Sequence, residues 1–418
     1  MNPEAAHVLV VGASHAGVQL AVALREQGHH GPVTLVGAED HRPYQRPPLS
    51  KDWLLGKAEK DSVLLRSDAF WAERDIRVLP GERVVEVDRS TEPAVARTDR
   101  GTEIAHDRLV LATGARARAL PVPGGDLEGV LLLRDADDAL ELRERLPDLR
   151  RAVVVGGGFI GLEVAAALRA VGAEVVVLES ADRLLARACG PETAQELLDR
   201  HRADGIDVRL GARVTALTGE RRVTGVRLGD DHLEADLVVV GVGVVPATEL
   251  AESLGLVCDD GVRVDERALA SDGLTLAVGD VANQPHPAPG AAAGSRVRLE
   301  SVSNTLDQAA VAAATLLGRE LAYPGVPWFW STQGAHRLQI AGVSHADDER
   351  VVRRDPARGG LTTLYYRDGR LVAADTVDAP AEFVTVKKAL AQGATIPRER
   401  AADVTAPLRT LVEQPVGA

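Results

Sequence analysis

The run Val153-Val154-Val155 breaks into Gly156-Gly157-Gly158-Phe159-Ile160-Gly161 and continues as the Ala-rich pattern Leu162-Glu163-Val164-Ala165. Few folds accept this. A strand must stop at a tight turn, and a helix must begin inside that turn. Backbone N–H groups and the positive end of the helix dipole then converge on one point, which suits a dinucleotide pyrophosphate. Gly156 allows the turn, Gly158 lets the backbone approach phosphate, and Gly161 packs helix on strand. The next Val-rich run, Val175 to Leu178, ends at Glu179, where a ribose hydroxyl would be held.

The N-terminus carries a near-copy. His7 to Val11 is a strand, Gly12-Ala13-Ser14-His15-Ala16-Gly17 a turn, and Val18 to Arg25 a helix; Val33 to Gly37 is a second strand, followed by Ala38-Glu39-Asp40. Ser14 stands where the second glycine belongs. A single unit is a weak sign, because glycine turns join strands to helices in many folds. Two units, each with an acid after its second strand, imply two different dinucleotides. Leu109 to Gly114 and Leu237 to Pro246 repeat a strand-then-glycine pattern, which supports two similarly built domains.

Composition narrows the function classes. A chain of 418 residues has room for two or three domains. A net charge of -13 argues against a nucleic-acid partner. The two cysteines, Cys189 and Cys258, have neither C-x-x-C nor metal-ligand spacing, so no metal and no disulfide framework are expected. No apolar run approaches the ~18 residues that span a membrane. The reading is a soluble protein of the reducing cytoplasm.

Other stretches carry weaker signals. His41 to Lys51 holds three prolines and two arginines, which excludes a helix interior or a central strand. It reads either as a solvated surface loop or as a rigid segment presenting Lys51, with Ser50 capping a short helix to Leu55. Leu133 opens a stretch that is helical to about Leu146. Val278-Gly279-Asp280 places an acid just past a strand, as a polyol or ribityl hydroxyl requires or as an ordinary turn provides. Gln284 to Gly294 reads as an exposed loop, Thr305 to Leu317 and Ala381 to Ala391 as helices, and 326–418 as mixed α+β. Glu249 and the charge run 347–354 read as solvated surface.

Taken in order, Arg46-Pro47-Pro48-Leu49-Ser50-Lys51, Leu111-Ala112-Thr113-Gly114, Leu133-Arg134, the central glycine turn with Leu162-Glu163, Val278-Gly279-Asp280, Leu299-Glu300-Ser301 and Pro327-Trp328-Phe329-Trp330-Ser331 resemble FAD-dependent pyridine-nucleotide oxidoreductases. More narrowly they resemble the putidaredoxin-reductase type, the ferredoxin reductases of bacterial oxygenase systems. The resemblance spans almost the whole chain. It implies an α/β fold with two Rossmann-like, glutathione-reductase-like domains and a C-terminal α+β domain. The boundaries are 1–117 with 247–325 for non-covalent FAD, 118–246 for NAD(H), and 326–418. It places Gly12, Ala13, Ser14, His15, Ala16 and Gly17 at the FAD pyrophosphate, and Glu39 at the adenosine ribose. Arg46, Val84, Ala112, Thr113, Gly114, Arg134, Gly279, Asp280 and Val302 surround the rest of FAD. Gly156, Gly158, Phe159, Ile160, Gly161, Glu179 and Gly243 hold the nicotinamide nucleotide.

The implied chemistry is hydride from NADH to the flavin, then single electrons to a small iron–sulfur ferredoxin. Lys51, Glu163 and Trp330 are the candidate catalytic residues, with Lys51 and Glu163 as a pair at the nicotinamide–flavin interface. Glu179 favours NADH and disfavours NADPH, against which Arg183 has to be weighed. Neither cysteine falls in the N-terminal FAD segment, so disulfide chemistry is disfavoured. The alternative is a slow NADH oxidase or NADH sensor of the apoptosis-inducing-factor kind. After Ser331 the family continues Asp-Gln-Tyr, whereas here Thr332-Gln333-Gly334 follows. Arg66, Arg296, Arg298 and Arg337 are candidates for a docking patch. A monomer or weak homodimer is expected, with no nucleic-acid or membrane partner.

Overall fold

The computed structural model describes residues 2–287, 292, 294–323, 325–355 and 359–414. The chain divides into two compact units, Met1–Gln45, Glu59–Arg116 and Val245–Gly325 in one, and Arg46–Ala58, Ala117–Val244 and Val326–Ala418 in the other.

In the first unit, Val8–Val11 is the middle strand of a five-stranded parallel sheet. It lies between Arg108–Leu111 and Val33–Gly37, with Leu276–Ala277 and Ile76–Pro80 at the edges. A parallel sheet is covered on both faces, which is why these strands are near-continuous apolar runs. Helix His15–Glu26 covers one face together with helix Val302–Leu316, and Ala16, Leu20 and Ala23 share a core with Ala309, Ala312 and Ala313. The expected loop from Gln284 begins as strand Ala282–Pro285, paired with Arg296–Val297. Its first side chain does not go to water: Gln284 is buried and bonds Asn304 and Gln308. Residues 288–291 and 293 of that stretch lie outside the described residues.

The second unit repeats the plan. Arg151–Val155 lies between Glu174–Leu178 and Leu237–Val240, with Asp207–Arg209 and Val130–Leu131 at the edges. In both sheets the strand before the glycine turn pairs with the strand after its helix and with a later strand. Residues 109–111 and 237–240 are those later strands, so the repeat read along the chain is a repeat in register.

Residues after 326 add a five-stranded antiparallel sheet in the order Trp328–Gln333, His336–Gly342, Arg370–Val377, Gly360–Arg367 and Glu349–Asp355. Helix Pro380–Ala391 buries Phe383, Val386 and Ala389 against it. The charge run 347–354 is not all solvated. Asp348 is buried and holds the Arg367 guanidinium through two bonds of 2.8 and 2.9 Å. Arg353 is buried too, bonded to Glu382 and to the carbonyls of Ala401, Asp403 and Ala406. A guanidinium held by a carboxylate and three carbonyls can be buried where an unpaired one cannot. Among the described residues, no helix is long and apolar enough to cross a membrane.

Candidate functional site

The two glycine turns have the geometry that their residue types require. Gly12 and Gly156 have φ of +120° and +111°, and a Cβ on either would meet a carbonyl oxygen at 2.0 and 2.4 Å. Gly17 and Gly161 sit equally tightly, with an added Cβ 1.9 Å from the Gly12 oxygen and 2.1 Å from the Gly156 oxygen. Gly158 is different: nothing lies closer to its missing Cβ than 3.9 Å. The helices that begin at Asp68, Ala136 and Val302 are capped by the side chains of Ser67, Asp135 and Ser301. The helices that begin at His15 and Phe159 have no side-chain cap. Helices Pro191–Ala203 and Pro380–Ala391 lack a side-chain cap too, and it is the glycine turn before His15 and Phe159 that makes those two ends suit an anion, so the residues present fit two dinucleotide pyrophosphates.

The acids after the second strands are both engaged. Glu179 accepts the N–H of Gly157 through Oε2 and that of Ala181 through Oε1, each at 2.7 Å. Its carboxylate therefore lies under the glycine turn. Arg183 turns into its own loop and donates to the Ala186 carbonyl at 2.6 Å. Glu39 accepts a hydrogen bond from Tyr44, a partner that the sequence did not suggest. Gly279 has a φ of +79°, and an added Cβ would meet Ala16 Cβ at 2.7 Å. That close approach brings the Gly279-Asp280 turn to the start of the first glycine-turn helix. The Gly279 N–H is held by Gln308 Oε1 at 2.6 Å. Thr113 bonds the Ala247 carbonyl, Val84 is buried, and Val302 opens its helix.

In the second unit the proline segment folds as a short 3-10 turn, Pro47–Ser50, rather than as a helix from Lys51 capped by Ser50. The Ser50 hydroxyl accepts from Lys51 Nζ at 3.1 Å, not from a backbone N–H, and gives its own proton to a carboxylate. It bonds Glu163 Oε2 at 2.5 Å, beside the Lys51 ammonium on the same oxygen at 2.5 Å. Lys51 also donates to the Pro47 carbonyl at 3.0 Å, so the prolines fix the ammonium's position. Arg46 reaches the Arg134 carbonyl at 2.5 Å. These bonds hold residues 46–58 in the second unit, whereas the sequence reading put them with the N-terminal segment.

Glu163 is 4% exposed and carries a third donor, Ser331, on Oε1 at 2.7 Å. This contact follows from matched repeats. Four residues of helix advance about 6 Å and two of strand about 6.6 Å. Helix Phe159–Ala170 and strand Trp328–Gln333 therefore meet in step, with Phe159 on Phe329 at 4.3 Å between ring centroids and Glu163 on Ser331. Trp330 points from the other face of that strand. It stacks on Trp328 at 5.3 Å, and Trp328 carries the Lys387 ammonium over its ring at 4.0 Å. Lys51 and Glu163 are thus brought together, and Trp330 lies across the strand from them. Ser50, Ser331 and Gln333 belong to the site and were not singled out as site residues. The only sequence signal for Ser50 and Ser331 was membership in the two recognised segments, and Gln333 lay in the departing stretch Thr332-Gln333-Gly334.

Two of the four docking arginines are internally committed. Arg298 bonds Asp260, Glu300 and the Asp280 carbonyl, and its side chain is 9% exposed. Arg296 is spent on the carbonyls of Val264 and Asn283. Arg66 stands over the Phe70 ring at 5.1 Å, and Arg337 is exposed. Both cysteines are free, and burial pushes the Cys189 thiol far above its ordinary value.

Residues 6–309 match the family described as pyridine nucleotide-disulphide oxidoreductase, and residues 328–412 match the family described as reductase C-terminal. The chain is 41% identical over 408 residues to the 5,5'-dehydrodivanillate O-demethylase ferredoxin reductase subunit of a Sphingobium species, with 96% of this chain and 97% of that one covered. It is 36% identical to putidaredoxin reductase of Pseudomonas putida, covering 97% and 96%. Among solved structures, the ferredoxin reductase for the CYP199A2 system from Rhodopseudomonas palustris superposes with a TM-score of 0.91 at 42% identity, covering 97% of this chain and 99% of that one. The covalent putidaredoxin reductase–putidaredoxin complex superposes with a TM-score of 0.90 at 36% identity, covering 97% and 98%.

Proposed function

The chain belongs to the pyridine nucleotide-disulphide oxidoreductase family, and from that premise we propose that it is an FAD-dependent reductase. It takes hydride from NADH and passes single electrons to a small iron–sulfur ferredoxin that serves an oxygenase. The observation that carries this reading is the match to named ferredoxin reductases along nearly the full length of both chains. Disulfide exchange, for which the family is named, is disfavoured, because Cys189 and Cys258 form no C-x-x-C and neither lies in the N-terminal FAD segment. No observation favours the slow oxidase or sensor.

FAD, when bound, links two-electron hydride input to one-electron output. The chain's residues orient the reactants. Gly12 to Gly17 with Glu39 and Asp280 hold FAD, and Gly156 to Gly161 with Glu179 and Gly243 hold the nicotinamide nucleotide. Lys51 supplies a fixed positive charge. Glu163, with its three donors, keeps that ammonium in one place.

NADH is the favoured nucleotide. A Glu179 carboxylate held at the turn accepts from a ribose 2′-hydroxyl and repels a 2′-phosphate. Arg183, the residue that would receive such a phosphate, is bonded to the Ala186 carbonyl. The ratio of kcat/KM for NADH and NADPH tests this, and Glu179→Ala is expected to narrow it. A wild-type preference for NADPH refutes it.

The electron acceptor is tested by anaerobic NADH-dependent reduction of a panel of [2Fe-2S] ferredoxins by the purified flavoprotein. At least one is expected to accelerate turnover well beyond the rate with cytochrome c alone. If none does, the reductase reading fails.

A further inference from the structure

Glu163 is the outer end of a buried hydrogen-bonded chain that runs to a histidine. Ser331 donates to Glu163 Oε1 at 2.7 Å, Gln333 Nε2 donates to Ser331 Oγ at 3.1 Å, and His201 Nε2 meets Gln333 Oε1 at 2.7 Å. Ser331, Gln333 and His201 are all 0% exposed. Ser331 and Gln333 share a strand face because their positions alternate with Thr332, and His201 comes from helix Pro191–Ala203.

Every link has one allowed direction. Glu163, paired with Lys51, is an acceptor only. Ser331 has a single proton. With Oγ 2.7 Å from a carboxylate oxygen, that proton must point at Glu163, or two lone pairs face each other. Ser331 must then accept from Gln333, so the Gln333 NH2 faces the serine and its carbonyl faces inward. An amide carbonyl only accepts, so His201 carries its proton on Nε2. Nδ1 is left bare, and it is indeed buried without a partner.

We propose that His201 is a positioning residue for the Lys51–Glu163 pair. Its Nε2–H holds the Gln333 amide in the one orientation that makes Ser331 a donor to Glu163. Without that donor the near-symmetric amide can turn over, Ser331 donates inward, and Glu163 loses one of its three anchors. The groups around the ring favour a neutral His201. Burial lowers its proton affinity, the His336 ring lies edge-on at 6.1 Å, and His336 itself is bonded to Asp204 at 2.8 Å with Arg200 at 3.5 Å. The effect on hydride transfer rests on the reading of Lys51 given above; the polarity of the relay does not.

Two measurements on the purified flavoprotein test the proposal. The first is the tautomer of His201 from 15N histidine shifts, its signal assigned by its loss in His201→Phe. Wild type should show the Nε2–H form. In Glu163→Gln the introduced carbonyl stays with Lys51 and Ser50, and the new NH2 faces Ser331. The relay must then reverse, and His201 should become Nδ1–H. The same tautomer in both proteins, or Nδ1–H in wild type, overturns the proposal. The second is stopped-flow flavin reduction by NADH. His201→Phe should slow it roughly tenfold, the worth of about one hydrogen bond, with NADH affinity unchanged. His201→Gln, which can still donate, should restore most of the rate. An unchanged rate in His201→Phe overturns the positioning role if Lys51→Ala is slow. If Lys51→Ala is also unchanged, it is the role of Lys51 itself that falls.

Discussion

The Lys51–Glu163 pair can be tested by a double-mutant cycle with Lys51→Met, Glu163→Gln and the double variant. The pair is joined at 2.5 Å, with side chains 23% and 4% exposed. Breaking a wholly buried pair costs about 3–5 kcal/mol, chiefly because a charge is stranded. Lys51 keeps contact with water, which offsets part of that loss. Glu163 keeps Ser50 and Ser331 when Lys51 is removed. These two reductions bring the expected coupling to about 2 kcal/mol. The assay is amide hydrogen exchange in the segment that follows Pro47–Ser50 and in helix Phe159–Ala170, which reports local opening of the elements that the pair joins. Lys51→Met should be the more damaging single change, because it leaves an ionised carboxylate buried, whereas the amide of Glu163→Gln still accepts from Ser50. A coupling below about 0.5 kcal/mol would put the pair among exposed surface bridges and refute the claim that burial makes it rigid.

Three further outcomes follow from the same geometry. Gly158→Ala should leave thermal stability unchanged and raise KM for NADH, because its Cβ meets nothing within 3.9 Å. Gly161→Ala should lose stability, because its Cβ falls 2.1 Å from the Gly156 oxygen. Thermal melts and NADH titrations on both separate a phosphate cradle from a packing contact. Asp375 is fully buried, and burial raises its carboxyl from 3.8 to about 6. The folded chain therefore takes up this proton before the unfolded chain does. The contribution is complete below the unfolded value and is lost as pH rises through about 6. Stability relative to Asp375→Asn should fall between pH 4 and pH 6.5 in urea titrations; a flat difference would contradict it.

Much of this protein is local in sequence. Val153 to Gly161 is strand, turn and helix because Gly156 takes a φ of +111° and Gly161 packs on the Gly156 oxygen, both local requirements, although the carbonyl that closes on Gly156 is that of distant Gly241. Gly17 likewise packs on the local Gly12 oxygen, whereas Gly12 is closed on by the carbonyl of Ala112. Lys51 was legible from its proline frame. Ser50 was misread as a helix cap because capping is what a serine after prolines does when only neighbours count; its true acceptor is 113 positions away. Asp348 and Arg353 looked like a solvated run for the same reason. Their partners Arg367, Glu382 and the carbonyls of Ala401, Asp403 and Ala406 come from later parts of the chain.

The chain's periodicities and glycines determine by themselves that there are two dinucleotide-type units and that a strand-rich segment follows them. Those choices rest mainly on backbone conformation within about ten residues, although the carbonyls that crowd Gly12 and Gly156 come from Ala112 and Gly241. Which polar groups share Glu163 was decided only when helix Phe159–Ala170 met strand Trp328–Gln333. Their repeats of about 6 and 6.6 Å agree, so side chains 168 positions apart come into register. Once they did, burial left each hydrogen one place to go, and the direction of the whole relay to His201 was settled by the charge on Glu163.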